Sequence, residues 1–185
     1  GQKEVEKALE ADGESSDAHF YGALFMLDEI AQERKGKRLF LNEFLDINWS
    51  PLDFSFFSHV GNLDSRQRLW LEAVHLARIQ QWDPLLPLEN KLAKSVSRKH
   101  HFYETILWIR IQALSYYPFD TIEKRKESIL KSLQLLDVFI ERGTLKADVY
   151  RLRALACSSI GDVQGAVSSF WMLLRLAPSF PAHHQ

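Results

Sequence analysis

The stretch 144–178, TLKADVYRLRALACSSIGDVQGAVSSFWMLLRLAP, decides how this chain is read. Two helical segments, over 146–160 and 163–176, lie on either side of Gly161-Asp162. Each carries one small residue among bulky ones: Ala154 follows Tyr150, and Ala166 precedes Phe170. A small side chain at one place on a helix lets a partner helix come close, while its large neighbours fill the sides. The pair therefore reads as a helical hairpin.

Moving back along the chain, the same register recurs. Ala73, Ala113 and Ala154 are spaced by 40 and 41 residues. Leu69, Ile109 and Tyr150 lie four residues before them, and Leu76, Tyr116 and Cys157 three residues after. Each is followed by a second helix with its own small residue, Ala93, Ser132 or Ala166. One such hairpin cannot bury its apolar face alone, so repetition implies stacking.

The third unit resembles the tetratricopeptide repeat, a helix–turn–helix family. Tyr150, Ala154, Gly161-Asp162, Ala166, Phe170 and Pro178 stand at that family's spacing. Ser132, Leu136 and Phe139 lie 34 residues before Ala166, Phe170 and Leu173. Arg153 departs from the pattern, where the family usually has Leu, and Leu173 replaces a small residue. No stretch keeps a period of two between turn residues, so the class read from the residues is all-α, and the resemblance implies a superhelix, a solenoid of stacked antiparallel hairpins. It gives one repeat domain over 1–185, with three hairpins in 65–180 and atypical helices in 1–64. It also implies a non-catalytic scaffold that holds a protein or peptide in a concave groove.

Local signals elsewhere are helical too. Ser50-Pro51-Leu52-Asp53 has the form of a capping box before Phe54, Phe57 and Val60, closed by Gly61. Asp83-Pro84 opens a helix continued by Leu85, Leu88, Leu92 and Val96, with Pro87 still placed in its first turn. Asp120 with Glu123 reads as a capping box before Ile129, Leu133, Leu136 and Ile140; Gly143 ends that helix and Thr144 can cap the next. Further helices are expected near 3–11, 17–35, 37–47, 51–60, 65–81 and 100–117, and the aromatic-rich segment 39–60 is expected to seal one side of the stack.

Composition excludes several classes. The 185 residues carry 23 Lys and Arg against 24 Asp and Glu, which argues against a globally basic nucleic-acid binder. The charge is uneven: 1–64 is acidic, with 6 basic and 13 acidic groups, and the remainder is basic. Mean hydropathy is −0.21 and no apolar run approaches a membrane span. One cysteine, Cys157, excludes an internal disulfide framework and a cysteine-based zinc site. It also favours the cytoplasm. The start at Gly1-Gln2-Lys3 suggests that the natural N-terminus lies further upstream, so the chain reads as compatible with a docking domain of a longer protein; an uncapped solenoid end, able to pair with itself, is compatible with a homodimer.

No phosphate-binding loop, nucleophile elbow or His-Glu-x-x-His motif is present. Glu72 and His75, with Glu104 as a helper, are the nearest approach to a metal or catalytic set, and they stand as an alternative reading. Cys157 reads as core, and no cofactor is expected. A second alternative is RNA binding through Lys91, Lys94, Arg98 and Lys99, or Lys124, Arg125, Lys126 and Lys131, with Phe102, Tyr103 and Trp108 as stacking surfaces. The preferred site follows from the resemblance. The residue after each helix-opening aromatic faces the groove in that family; here those are Trp70, Arg110 and Arg151. Ala77, Tyr117 and Ser158 lie one turn on. Two arginines form a fork for a carboxylate, and Trp70 serves as an apolar anchor.

Overall fold

The computed structural model describes residues 2–13, 15–25 and 63–177. All regular structure among them is helical, with no strand, in agreement with the all-α class. The chain divides into two compact units, Gly1–Gln80 and Gln81–Gln185. The sequence reading instead has one domain that changes character at 64/65. The capping box at Ser50, the segment 39–60, the helices expected at 37–47 and 51–60, and Pro178 lie outside the described residues.

In the first unit, α1 spans Gln2–Ala11, α2 occupies 16–25 of the described chain, and α3 spans Ser65–Arg78. Asp64 caps α3 reciprocally. Its carboxylate accepts from the Gln67 backbone at 2.8 Å, and its own N–H donates to Gln67 Oε1 at 3.1 Å. The backbone N–H groups of Gln67 and, next, Arg66, which donates at 2.7 Å, hold the Asp64 carboxyl below its usual range. The Gln67 amide also donates to Asp17 Oδ1 at 2.8 Å, joining α3 to α2. Phe20 meets Trp70 edge-on at 5.9 Å between ring centres, and Ala23 and Ala73 are fully buried. Gln80 closes the unit with a left-handed φ of 57°.

The second unit opens with α4, Trp82–Leu85, a 3₁₀ turn at Leu86–Leu88, and α5, Glu89–Ser95. A single helix was expected over 84–98. The interruption falls at Pro87, which lacks the N–H that would bond one turn back, and its ring crowds the carbonyl there. Four longer helices follow: α6 Tyr103–Tyr116, α7 Ile122–Glu141, α8 Ala147–Ser159 and α9 Val163–Leu176. The caps differ from expectation. Thr121, not Asp120, caps α7 by accepting from the Lys124 N–H at 3.3 Å, and α8 starts after Lys146 with no side-chain cap.

Contacts between these helices run in opposite numerical order, so each packs antiparallel to the next. Trp108 meets Phe139 while Ser115 bonds Ser132 at 3.0 Å; Asp137 pairs with Arg153, and Arg153 with Ser169. Tyr103, Leu107 and Ile111 of α6 pack with Leu136 and Phe139 of α7 and Val149 and Leu152 of α8 in one core. Leu133, Cys157 and Ala166 carry it through to α9. Burying each large aliphatic side chain contributes about 1.5–3 kcal/mol before chain entropy is counted. Arg153, the departure from the repeat pattern, spans three helices: it donates to Asp137 of α7 at 2.8 Å and to Ser169 of α9 at 2.9 Å.

The turn between α8 and α9 depends on two glycines. Gly161, at φ 80°, lets the Asp162 N–H return to the Cys157 carbonyl at 2.9 Å, and Asp162 then caps α9 by accepting from the Gly165 N–H at 2.9 Å. A Cβ on Gly165 would lie 2.8 Å from Cys157 Sγ and would collide with the Asp162 carboxylate. Gly165→Ala is therefore expected to lower the unfolding free energy by about 1–3 kcal/mol in urea titration, because the buried sulfur and the capping carboxylate must both shift.

Candidate functional site

A groove of ≈ 610 Å³ opens between α6 and α8, with α7 as its floor. Tyr116, Tyr117, Pro118 and Phe119 form one wall where α6 gives way to the loop before α7. Leu152, Leu155, Ala156 and Ser159 form the opposite wall on α8, and Arg125, Ile129 and Ser132 come from α7. The aromatic wall stands out because Tyr117 leaves the helix for extended backbone just before Pro118. Tyr117 and Phe119 then meet edge-on, with ring centres 4.7 Å apart. Tyr116 lies between Trp82, at 5.5 Å, and Arg151, whose guanidinium donates to its hydroxyl at 3.4 Å. Arg125 is exposed, and its guanidinium has no hydrogen bond or ion pair among the described residues. Aromatic and aliphatic side chains interleaved with hydroxyls and one guanidinium suit a ligand that buries an apolar side chain and presents an anion.

The residues expected to form the site are distributed differently. Tyr117 lines the groove, and Arg151 reaches its rim through Tyr116. Ser158 is exposed on α8 beside the lining Ser159, outside the lining itself. Trp70 belongs to the first unit, where it is only 4% exposed against Phe20, so it offers no open anchor. Arg110 is committed elsewhere. Its Nε and an NH₂ nitrogen reach Glu89 Oε1 at 2.8 and 2.7 Å, and Lys131 Nζ takes Glu89 Oε2 at 2.5 Å. The Glu89 side chain is 4% exposed and that of Arg110 12%. This triad ties α5, α6 and α7 together, so the expected Arg110–Arg151 fork is not assembled. Arg151 also pairs with Asp148 at 3.0 Å on its own helix.

Tyr116, Phe119 and Leu155 also line the groove and were not among the expected site residues, and Arg125, expected only as part of an RNA-binding stripe, lines it too. The signal that could have found them is the run Tyr116-Tyr117-Pro118-Phe119, three aromatics at a helix-to-loop junction where water-facing polar residues are the norm. Nothing local reveals the Glu89 triad, since its members are 21 and 42 residues apart.

The other candidates resolve as follows. Among the described residues, no three His, Cys, Asp or Glu side chains are grouped as metal ligands would be. Glu104 is 3.4 Å from Arg142 and 3.8 Å from Lys146. His100 Nδ1 accepts from the Phe102 N–H at 3.1 Å and its ring stacks on His101. Cys157 is buried, and burial pushes its thiol up from the usual range. Lys91, Lys94, Arg98 and Lys99 are exposed, whereas Phe102 and Tyr103 are buried, which takes those rings away from any base-stacking surface. No helix among the described residues is long and apolar enough to cross a membrane. The chain matches no family model, no curated protein and no solved structure.

The triad gives Arg110 a structural role. Arg110→Ala strands a buried carboxylate with Lys131 alone, and about 3 kcal/mol of stability is expected to be lost in chemical unfolding.

Proposed function

We propose that this protein is a non-catalytic scaffold or adaptor that binds a peptide segment of a partner protein in the groove between α6 and α8. The single observation that carries the reading is the combination in that groove of an aromatic wall, Tyr116, Tyr117 and Phe119, with the exposed guanidinium of Arg125, which has no partner among the described residues. The segment it fits has an apolar side chain to bury against Phe119 and Leu155, and a carboxylate, from a side chain or a C-terminus, for Arg125. The antiparallel order of α6 to α9 and the buried positions of Ala113, Ser132, Ala154 and Ala166 support placing these helices in a tetratricopeptide-like superhelix. No cofactor enters this function, and a cytoplasmic setting belongs to the same reading.

A second reading has one observation in its favour. Arg125 sets a cation beside the aromatic side chains Tyr116, Tyr117 and Phe119, an arrangement that also suits single-stranded RNA. Its affinity would fall steeply with salt.

Selection from a random peptide library with the intact protein is expected to enrich sequences that pair an acidic group with a bulky apolar residue. Arg125→Ala and Leu155→Asp are each expected to weaken the selected peptide about tenfold or more, the scale of a charge-assisted hydrogen bond or a buried anchor. Selection of peptides without an acidic group, or affinities unchanged in both variants, would contradict the groove as the site. Tighter binding of a single-stranded RNA oligomer than of any peptide would favour the second reading.

A further inference from the structure

The inner face of α9, Ala166, Ser169 and Leu173, is buried. Its outer face is also apolar, and no other described residue covers it. Val163, Val167, Phe170, Trp171 and Leu174 recur at helical spacing with exposures of 70, 49, 42, 65 and 51%. None of these residues lines the groove between α6 and α8. A fully buried aromatic side chain covers about 150–250 Å², so these fractions leave roughly 500 Å² of apolar surface on one helix. Monomers seldom leave a contiguous apolar patch of that size without a use for it.

Two features favour a second copy of this chain as the occupant. Two such stripes face to face remove about 1,000 Å² from water, the size at which specific interfaces begin. The charge pattern also permits it in one direction. The only charged residue of α9 is Arg175, in its last turn, and its guanidinium is exposed with no partner among the described residues. Parallel helices would bring the two Arg175 side chains together. Antiparallel helices separate them by the helix length, about 20 Å at 1.5 Å per residue, and set each beside the end of the other helix that Asp162 caps. The apolar pattern fits that arrangement: a twofold axis between Ser168 and Ser169 matches Val163 with Leu174 and Val167 with Phe170.

We propose that the protein associates with a second copy of itself through the outer faces of two antiparallel α9 helices. Sedimentation equilibrium of the whole chain at about 1–100 μM tests this, and twice the 21.5 kDa chain mass is expected. Trp171→Glu should keep its helical circular dichroism yet sediment as a single chain, with association weakened at least tenfold. Leu145→Glu, at an equally exposed leucine away from α9, should still pair. If Trp171→Glu does not fold, Val167→Lys replaces it. Orientation is read by mixing Val163→Cys with Leu174→Cys, which should form a disulfide between unlike variants. A single-chain mass at the highest concentration overturns the proposal and leaves the stripe to residues 178–185 or to another protein. Retained pairing in the folded Trp171→Glu or Val167→Lys variant, or disulfides only between like variants, overturns it as well.

Discussion

The second unit is held by the close approach of successive helices at small side chains, and hydroxyl hydrogen bonds fasten that approach. Ser132, 1% exposed, faces Ser115 across 3.0 Å. One turn away, the Ser128 hydroxyl donates to the Leu114 carbonyl at 2.8 Å, a contact that brings α7 to the backbone of α6. Between α8 and α9, the Ser169 hydroxyl accepts from Arg153 at 2.9 Å while donating within α9 to the Gly165 carbonyl at 2.7 Å. Larger residues at these crossings would hold the helices apart and leave the polar groups unpaired in the interior. With the helices close, Phe139, Leu136 and Ile111 interlock beneath them. The groove is the other result. Ser132 sits on its floor, so the residue that sets the spacing of α6 and α7 also sets its depth.

How much of this is legible in the sequence depends on the range of the interaction. The α9 helix occupies the span read for it, because Gly161, Asp162 and the apolar period of Ala166 to Leu173 are all local signals. The three alanines of the repeated register, Ala73, Ala113 and Ala154, are buried, and a small residue among bulky ones is a pattern that needs no partner to be seen. Pro87 was legible as a proline, but its consequence was misjudged. Counting from Asp83 places it in a first turn, whereas the helix that survives begins at Glu89.

The site was harder to read. Arg110 and Arg151 are indistinguishable by sequence, both arginines one residue after a buried ring or branched side chain. Glu89 makes the difference: it lies 21 residues from Arg110 and turns it into a buried tie, while Arg151 pairs with Asp148 on its own helix and reaches the Tyr116 hydroxyl. Trp70 was expected at an open surface, and Phe20, fifty residues away, covers it. Arg125 enters the sequence reading only as one of a run of cations, Lys124-Arg125-Lys126, read as an RNA-binding stripe or an ordinary solvated face, and not as part of a peptide groove. Its position beside Tyr117 and Phe119 exists only once α7 has folded back along α6.

The dependence of core and groove on helix spacing is tested most directly at Ser132, by measuring the urea unfolding free energy of Ser132→Leu against the unsubstituted chain. A loss of about 1–3 kcal/mol is expected, the cost of forcing a larger side chain in at a buried position of the α6–α7 crossing. Equal or greater stability would contradict the account, since it would mean that α6 and α7 have room to spare where their closest approach is supposed to hold the unit together.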